Sequence, residues 1–98
     1  MLHLVFRSPF THAALADCLQ QLTADDAVVL LEDAVTAALA DGPWAAQLAA
    51  CDAVVWVLDD DLVARGLGAR CHPAIQRATW ETLVELSTRH PTSHSWLS

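Results

Sequence analysis

Three cysteines, Cys18, Cys51 and Cys71, carry the side chains best suited to covalent chemistry in this sequence. A thiol attacks a substrate, or accepts sulfur as a persulfide and passes it on, only when it is reachable and its thiolate is favoured. Cys18 has no positive charge beside it in the chain, although Arg7 could fold close. It shares an apolar helical stripe with Leu15, Leu19 and Leu22. It is therefore either a sulfur carrier or a small buried hydrophobe, and the stripe favours the second, the usual fate of a free cysteine. Cys51 closes an Ala-rich helical segment and reads as packing. Cys71 lies between Arg70 and His72, a friendlier setting for a thiolate, but sequence neighbours need not face each other. The cysteine spacing matches no zinc motif.

The other polar candidates have simpler explanations. His90 and His94 have the i, i+4 spacing of a helical zinc pair, yet Pro91 between them forbids a continuing helix. Glu32-Asp33 and Asp59-Asp60-Asp61 follow apolar runs, where ligands sit in open α/β sheets. Helix capping by Asp33 and by Asp60 or Asp61 accounts for them without a metal. No glycine-rich loop follows the first apolar run, so backbone cradling of phosphate is not indicated. No cofactor and no metal are expected. Trp96 is a large amphipathic ring near the end of the sequence, which would either cover the core or anchor a partner chain.

These residues must be held by secondary structure, which the apolar pattern predicts. Leu2–Phe6 reads as a short buried strand with His3 inside it. Ser8 and Pro9 suit the cap and first position of a helix whose face is Leu15, Cys18, Leu19 and Leu22. Ala27–Leu31 and Ala53–Leu58 are apolar without alternation, as in parallel strands covered on both sides. Asp33 is placed to cap a helix that runs through Leu39 and stops at Gly42-Pro43, with a second helical piece over Trp44–Cys51. A short helix over Leu62–Arg65 closes at Gly66, and Leu67–His72 is a loop. Ala74–Ala78 is a weak strand. Thr79 caps a helix with Trp80, Leu83, Val84 and Ser87 on one stripe. Ser93–Leu97 adds an edge strand. About five strands alternating with helices predict an α/β domain over 1–98: a small flavodoxin-like, doubly wound, mostly parallel sheet with helices on both faces.

Composition limits the partners. Ninety-eight residues make one domain with a modest core, yet 54% are hydrophobic and four are Trp. Part of that surplus reflects alanine, and part suits burial against other chains. The net charge is −7, without lysine and with five scattered arginines. Such a chain is a poor candidate to grip nucleic acid or an anionic membrane. No apolar run approaches the roughly 20 residues of a membrane span. Met1–Phe6 lacks the basic start and length of an export signal, and an odd cysteine count argues against a disulfide framework. Reduced thiols and a cytoplasmic location are expected.

Four motifs in register carry a resemblance. Met1-Leu2-His3 with Arg7-Ser8-Pro9-Phe10 resembles the opening of TusB/DsrH proteins. Leu30-Leu31-Glu32-Asp33-Ala34-Val35-Thr36-Ala37-Ala38 is similar to their next signature, which commonly has Gly where this chain has Ala34. Asp60-Asp61-Leu62-Val63-Ala64-Arg65-Gly66-Leu67 resembles a third, and His90-Pro91 with Ser95-Trp96 a fourth. The neighbouring motifs look closer to TusB than to DsrH. The resemblance implies a DsrE/F/H-like domain assembled with homologous TusC/DsrF-like and TusD/DsrE-like subunits into a dimer of heterotrimers. It implies a relay from a TusA-like donor toward a TusE-like acceptor, ending in 2-thiouridine at the wobble position of tRNA, or in sulfur oxidation for the DsrH type. The principal sulfur-carrying cysteine belongs to the D/E-type subunit. Some relatives have a cysteine on the first helix, so Cys18 is the position to which a carrier role transfers.

Overall fold

The computed structural model describes residues 1–97, and five parallel strands form its centre. The chain runs β1 (Leu2–Val5), α1 (Ala14–Leu19), β2 (Ala27–Leu30), a 3-10 helix (Glu32–Ala38), α2 (Ala45–Ala50), β3 (Val54–Leu58) and α3 (Asp59–Ala64). A 3-10 turn (Gly68–Arg70), β4 (Gln76–Ala78), α4 (Trp80–Arg89) and β5 (Ser93–Trp96) complete it. The sheet order is β4-β3-β2-β1-β5, and every pairing is parallel. The expected α/β, doubly wound sheet is thus the observed one.

The order explains how the layers are filled. Strands β1 to β4 advance steadily across the sheet, so right-handed crossovers put α1, the long 3-10 helix, α2 and α3 on one face. Val5, Val28, Leu30, Val55 and Val57 meet Leu15, Cys18, Val35, Leu48 and Leu62 there. The chain then reverses direction: α4 crosses the opposite face alone, and β5 lands beside β1. Leu2, Val29, Leu31 and Leu58 on that face meet Leu83 and Leu86 of α4. One ten-residue helix cannot cover five strands, and Val54 stays 45% exposed.

Local starts and stops depart from expectation in several places. Ser8 does not cap α1; its hydroxyl accepts from the Phe10 N–H at 3.2 Å within a turn, and the helix begins at Ala14. Asp33 caps nothing, because the helix after β2 is of the 3-10 kind and Leu31 stands at its N-cap position. Helix α3 begins at Asp59, directly after β3, without a capping side chain. Gly66 closes α3 at φ 69°, a left-handed conformation that glycine adopts at no steric cost. Thr79 does cap α4: its hydroxyl accepts from the Thr82 N–H at 3.2 Å, and Thr82 returns a bond to the Thr79 N–H. The predicted α4 stripe is rotated. Leu83 and Leu86 turn to the sheet, while Trp80 and Val84 are 54% and 64% exposed.

Candidate functional site

The carboxyl ends of the strands hold the acidic residues singled out above, and the carboxylates of Asp33, Asp59 and Asp61 are spent on internal bonds. Glu32 takes up φ 48°, a left-handed conformation rare outside glycine, and its N–H donates to Asp61 Oδ2 at 2.7 Å. Arg65 reaches Asp33 at 3.0 Å and Asp61 at 3.8 Å. Arg77 pairs with Asp59 at 2.8 Å and donates to the Gly68 carbonyl at 2.6 Å. These pairs tie the long 3-10 helix to α3, and β4 to the start of α3 and to the 3-10 turn. Among the described residues, no three His, Cys, Asp or Glu side chains are grouped to hold a metal ion.

The remaining arginines are also engaged. Arg70 pairs with Asp41, Arg89 with Glu85, and Arg7 Nε donates to the Leu97 carbonyl at 3.0 Å. Scattered and mostly neutralised cations give no continuous positive face for a phosphate backbone to follow. No helix of the described residues is long and apolar enough to cross a membrane.

The thiols are sheltered. Cys18 faces the sheet from α1 and is 0% exposed. Burial, reinforced by the charge of Asp26 and then by Cys51, pushes its thiol up to about 12. Arg7, bonded to the tail, supplies it no charge. Cys51 is half-buried, donates to the Leu48 carbonyl at 3.1 Å, and is raised chiefly by burial. Cys71 is half-buried beside Arg77 rather than Arg70; burial raises its thiol, Arg77 opposes this and Asp59 adds to it. The His72 ring is engaged elsewhere, its Nδ1 accepting from the Ala74 N–H at 3.0 Å. Each thiol is thus held in its protonated, weakly nucleophilic form.

Clefts and apolar surface lie instead along α4. A cleft of about 300 Å³ runs between α4 and the β1–β5 edge, lined by Leu2, Leu4, Leu83, Val84, His90 and Pro91. A second of about 160 Å³ opens on the other side of the helix around Val54, Trp56 and Leu86. The Trp56 indole nitrogen is buried there with no hydrogen-bond partner among the described residues. Trp80 and Val84, one turn apart on α4, stand exposed, and Val84 lines the larger cleft. His90 and His94, weighed together from sequence, are separated: His90 lines the larger cleft, and His94 rests on Trp96 with ring centroids 4.5 Å apart.

Trp96 lies half-buried against the α1 side of the core. Its indole N–H donates to His3 Nδ1 at 3.1 Å, and His3 Nε2 lies 3.1 Å from Asp26 Oδ2. The other Asp26 oxygen takes the Met1 ammonium at 2.9 Å. That ammonium, against the opposing effect of burial and with help from His3 and the Thr23 N–H, holds the Asp26 carboxyl well below the usual carboxylate range. Sequence reasoning did not connect these residues. The available signal was His3 itself, a polar side chain inside an otherwise apolar strand, which burial obliges to find partners.

Comparison with known proteins agrees along nearly the whole chain. A family model described as "DsrH like protein" matches residues 7–93. The Protein TusB of Klebsiella pneumoniae is 36% identical over 96 residues, covering 98% of this chain and all of the relative. Those of Pectobacterium parmentieri and Escherichia coli are 35% and 33% identical with the same coverage. The crystal structure of the E. coli YchN protein superposes with a TM-score of 0.78 at 18% identity, covering 96% of this chain and 97% of that one. That last likeness speaks for the fold alone.

Proposed function

The chain belongs to the DsrH-like family, and from that premise we propose that it is a largely non-catalytic subunit of a cytoplasmic sulfur-relay complex supporting 2-thiolation of wobble uridine in tRNA. Its partners are homologous TusC/DsrF-like and TusD/DsrE-like chains, with a TusA-like donor and a TusE-like acceptor reached through them. The relatives named TusB favour this pathway over sulfur oxidation. The observation that carries the non-catalytic role is Cys18. The cysteine to which a carrier role would transfer is enclosed in the core with its thiol pushed to about 12. Persulfide transfer needs a thiolate that meets its donor.

Assembly is the role that the surface suits. Monomeric domains seldom leave neighbouring large apolar side chains open, and here Trp80 and Val84 stand exposed one turn apart, with Val84 lining an apolar cleft on the thinly covered side of the sheet. We assign the contact surface to this face and the adjoining β5 edge, with Trp96 seating that edge. The partners and the acceptor handle RNA.

Two measurements test the reading. The assembled complex is exposed to a persulfide donor and each subunit is weighed by mass spectrometry. Added sulfur belongs on a partner subunit; sulfur on Cys18, blocked by prior alkylation, would establish the competing carrier role. Co-purification with the two partner chains tests assembly, and a Trp80→Ser/Val84→Ser chain that still co-purifies undiminished would refute the assigned face.

A further inference from the structure

The opening motif and the terminal motif of this chain meet in one partly buried contact, whose chemistry fixes the state of His3. An indole nitrogen can only donate a hydrogen bond. Trp96 Nε1 donates to His3 Nδ1, so Nδ1 carries no proton. The neutral ring then bears its proton on Nε2, which points at the Asp26 carboxylate. His3 is 2% exposed, so neither nitrogen has bulk water as an alternative partner. We propose that His3 is a protonation-controlled latch: neutral, it holds the Trp96 indole, and protonated at Nδ1 it presents a donor to a donor and releases that ring, loosening β5.

The surroundings suit a latch rather than a fixed strut. Strand β5 is the sheet edge and pairs with β1 through only four residues. Among the described residues, two side-chain hydrogen bonds tie its end to the body: the Trp96–His3 bond and that from Arg7 to the Leu97 carbonyl. The neighbouring elements bring four titratable groups to this corner. Asp26 precedes β2 and faces Nε2, and the Met1 ammonium before β1 shares the same carboxylate. Cys18 on α1 lies within the influence of Asp26, and His94 on β5 pairs with His3 in register and rests on Trp96. Asp26 stays ionised well below neutrality, so it is in place to hold the imidazolium when Trp96 departs. The Met1 ammonium competes for that carboxylate, and a charged His94 would oppose a second cation nearby. Protonation therefore retains the His3–Asp26 contact and gives up the His3–Trp96 one.

Nitrogen-15 NMR of the full chain decides the matter, with the indole signals assigned through Trp96→Phe. At about pH 8, His3 should show the Nε2–H tautomer and the Trp96 indole proton should be protected from exchange. Toward about pH 5, His3 should protonate, and the Trp96 proton should lose about tenfold of its protection relative to the exposed Trp80 indole, with the same midpoint. In His3→Gln, whose amide can accept from Trp96 and donate to Asp26 but cannot titrate, protection should not change with pH. An Nδ1–H tautomer at pH 8, a Trp96 signal indifferent to the titration of His3, or a His3 that stays neutral across this range while the fold persists would each overturn the latch. The wild-type spectra alone suffice if the glutamine variant does not fold. Because they are recorded on the isolated chain, failure here leaves the assembly reading intact, and failure of assembly leaves the latch intact.

Discussion

Replacing Cys18 with serine exchanges one atom at the most enclosed thiol of the chain, and its outcome separates packing from catalysis. The side chain is 0% exposed and packs in the cluster with Leu15, Val28, Leu30 and Val55. A hydroxyl there loses its water. A hydroxyl on a helix can bond back to the carbonyl four residues earlier, but that carbonyl already serves the helix. Burying a hydroxyl so poorly partnered costs about 1–2 kcal/mol. A domain of this length unfolds in urea with a slope of about 1 kcal/mol per molar, so the midpoint should fall by about 1–2 M. Cys18→Ala, which adds no polar group and leaves a small void, should cost about 1 kcal/mol. Both variants should support tRNA thiolation wherever they remain folded. With the thiol at about 12, roughly one molecule in ten thousand is ionised near pH 8, so a thiol reagent should label Cys51 and Cys71 well before Cys18. The reasoning is refuted if Cys18→Ser keeps the wild-type midpoint yet abolishes thiolation.

Three further outcomes follow from the same physics. The buried Cys18 thiol is raised from 9.0 to about 12 on folding; its stabilising contribution is complete below about pH 9 and lost as the pH rises toward 12, so alkaline unfolding should be shallower in Cys18→Ala, read by circular dichroism against pH. Asp26 titrates below its ordinary 3.8 in the folded chain; its contribution is complete above that value and lost as the pH falls through and below it, so Asp26→Asn should cost about 1–2 kcal/mol at neutrality and flatten the acid limb of the same curve. Gly66 has open space around the position a methyl group would take but sits at φ 69°, so Gly66→Ala should cost about 1 kcal/mol from backbone strain alone, measured by urea titration.

Much of the architecture was written locally. Ala27–Leu31 and Ala53–Leu58 are apolar without alternation because β2 and β3 lie inside a parallel sheet, and they pair with each other as that pattern requires. Thr79 announced the start of α4 because a cap is formed by residues three apart, within reach of sequence. Ser8 and Asp33 carried similar signals that failed. The chain around Ser8 closes into a turn, and the one after Leu31 tightens into a 3-10 helix while Asp33 pairs with Arg65, 32 residues away.

The site lay mostly beyond local reading. Periodicity put Trp80, Leu83, Val84 and Ser87 on one stripe, but the rotation of α4 on the sheet exposed Trp80 and Val84 and buried Leu86, since packing and not spacing sets which side faces inward. Cys18 on its apolar stripe was open to two readings in sequence; its full enclosure depends on β1 and β2 closing beneath α1. The contact of His3 with Trp96 spans 93 residues, and its dependence on Asp26 follows from the way β5 returns to the side of β1. Residue order alone determined the alternation of strands and helices, the acidic balance and the absence of a phosphate loop after β1, because those are properties of short segments or of their sum. The fold decided which faces stay open and which polar groups find one another, because burial and hydrogen bonding between distant segments exist only after the layers have met.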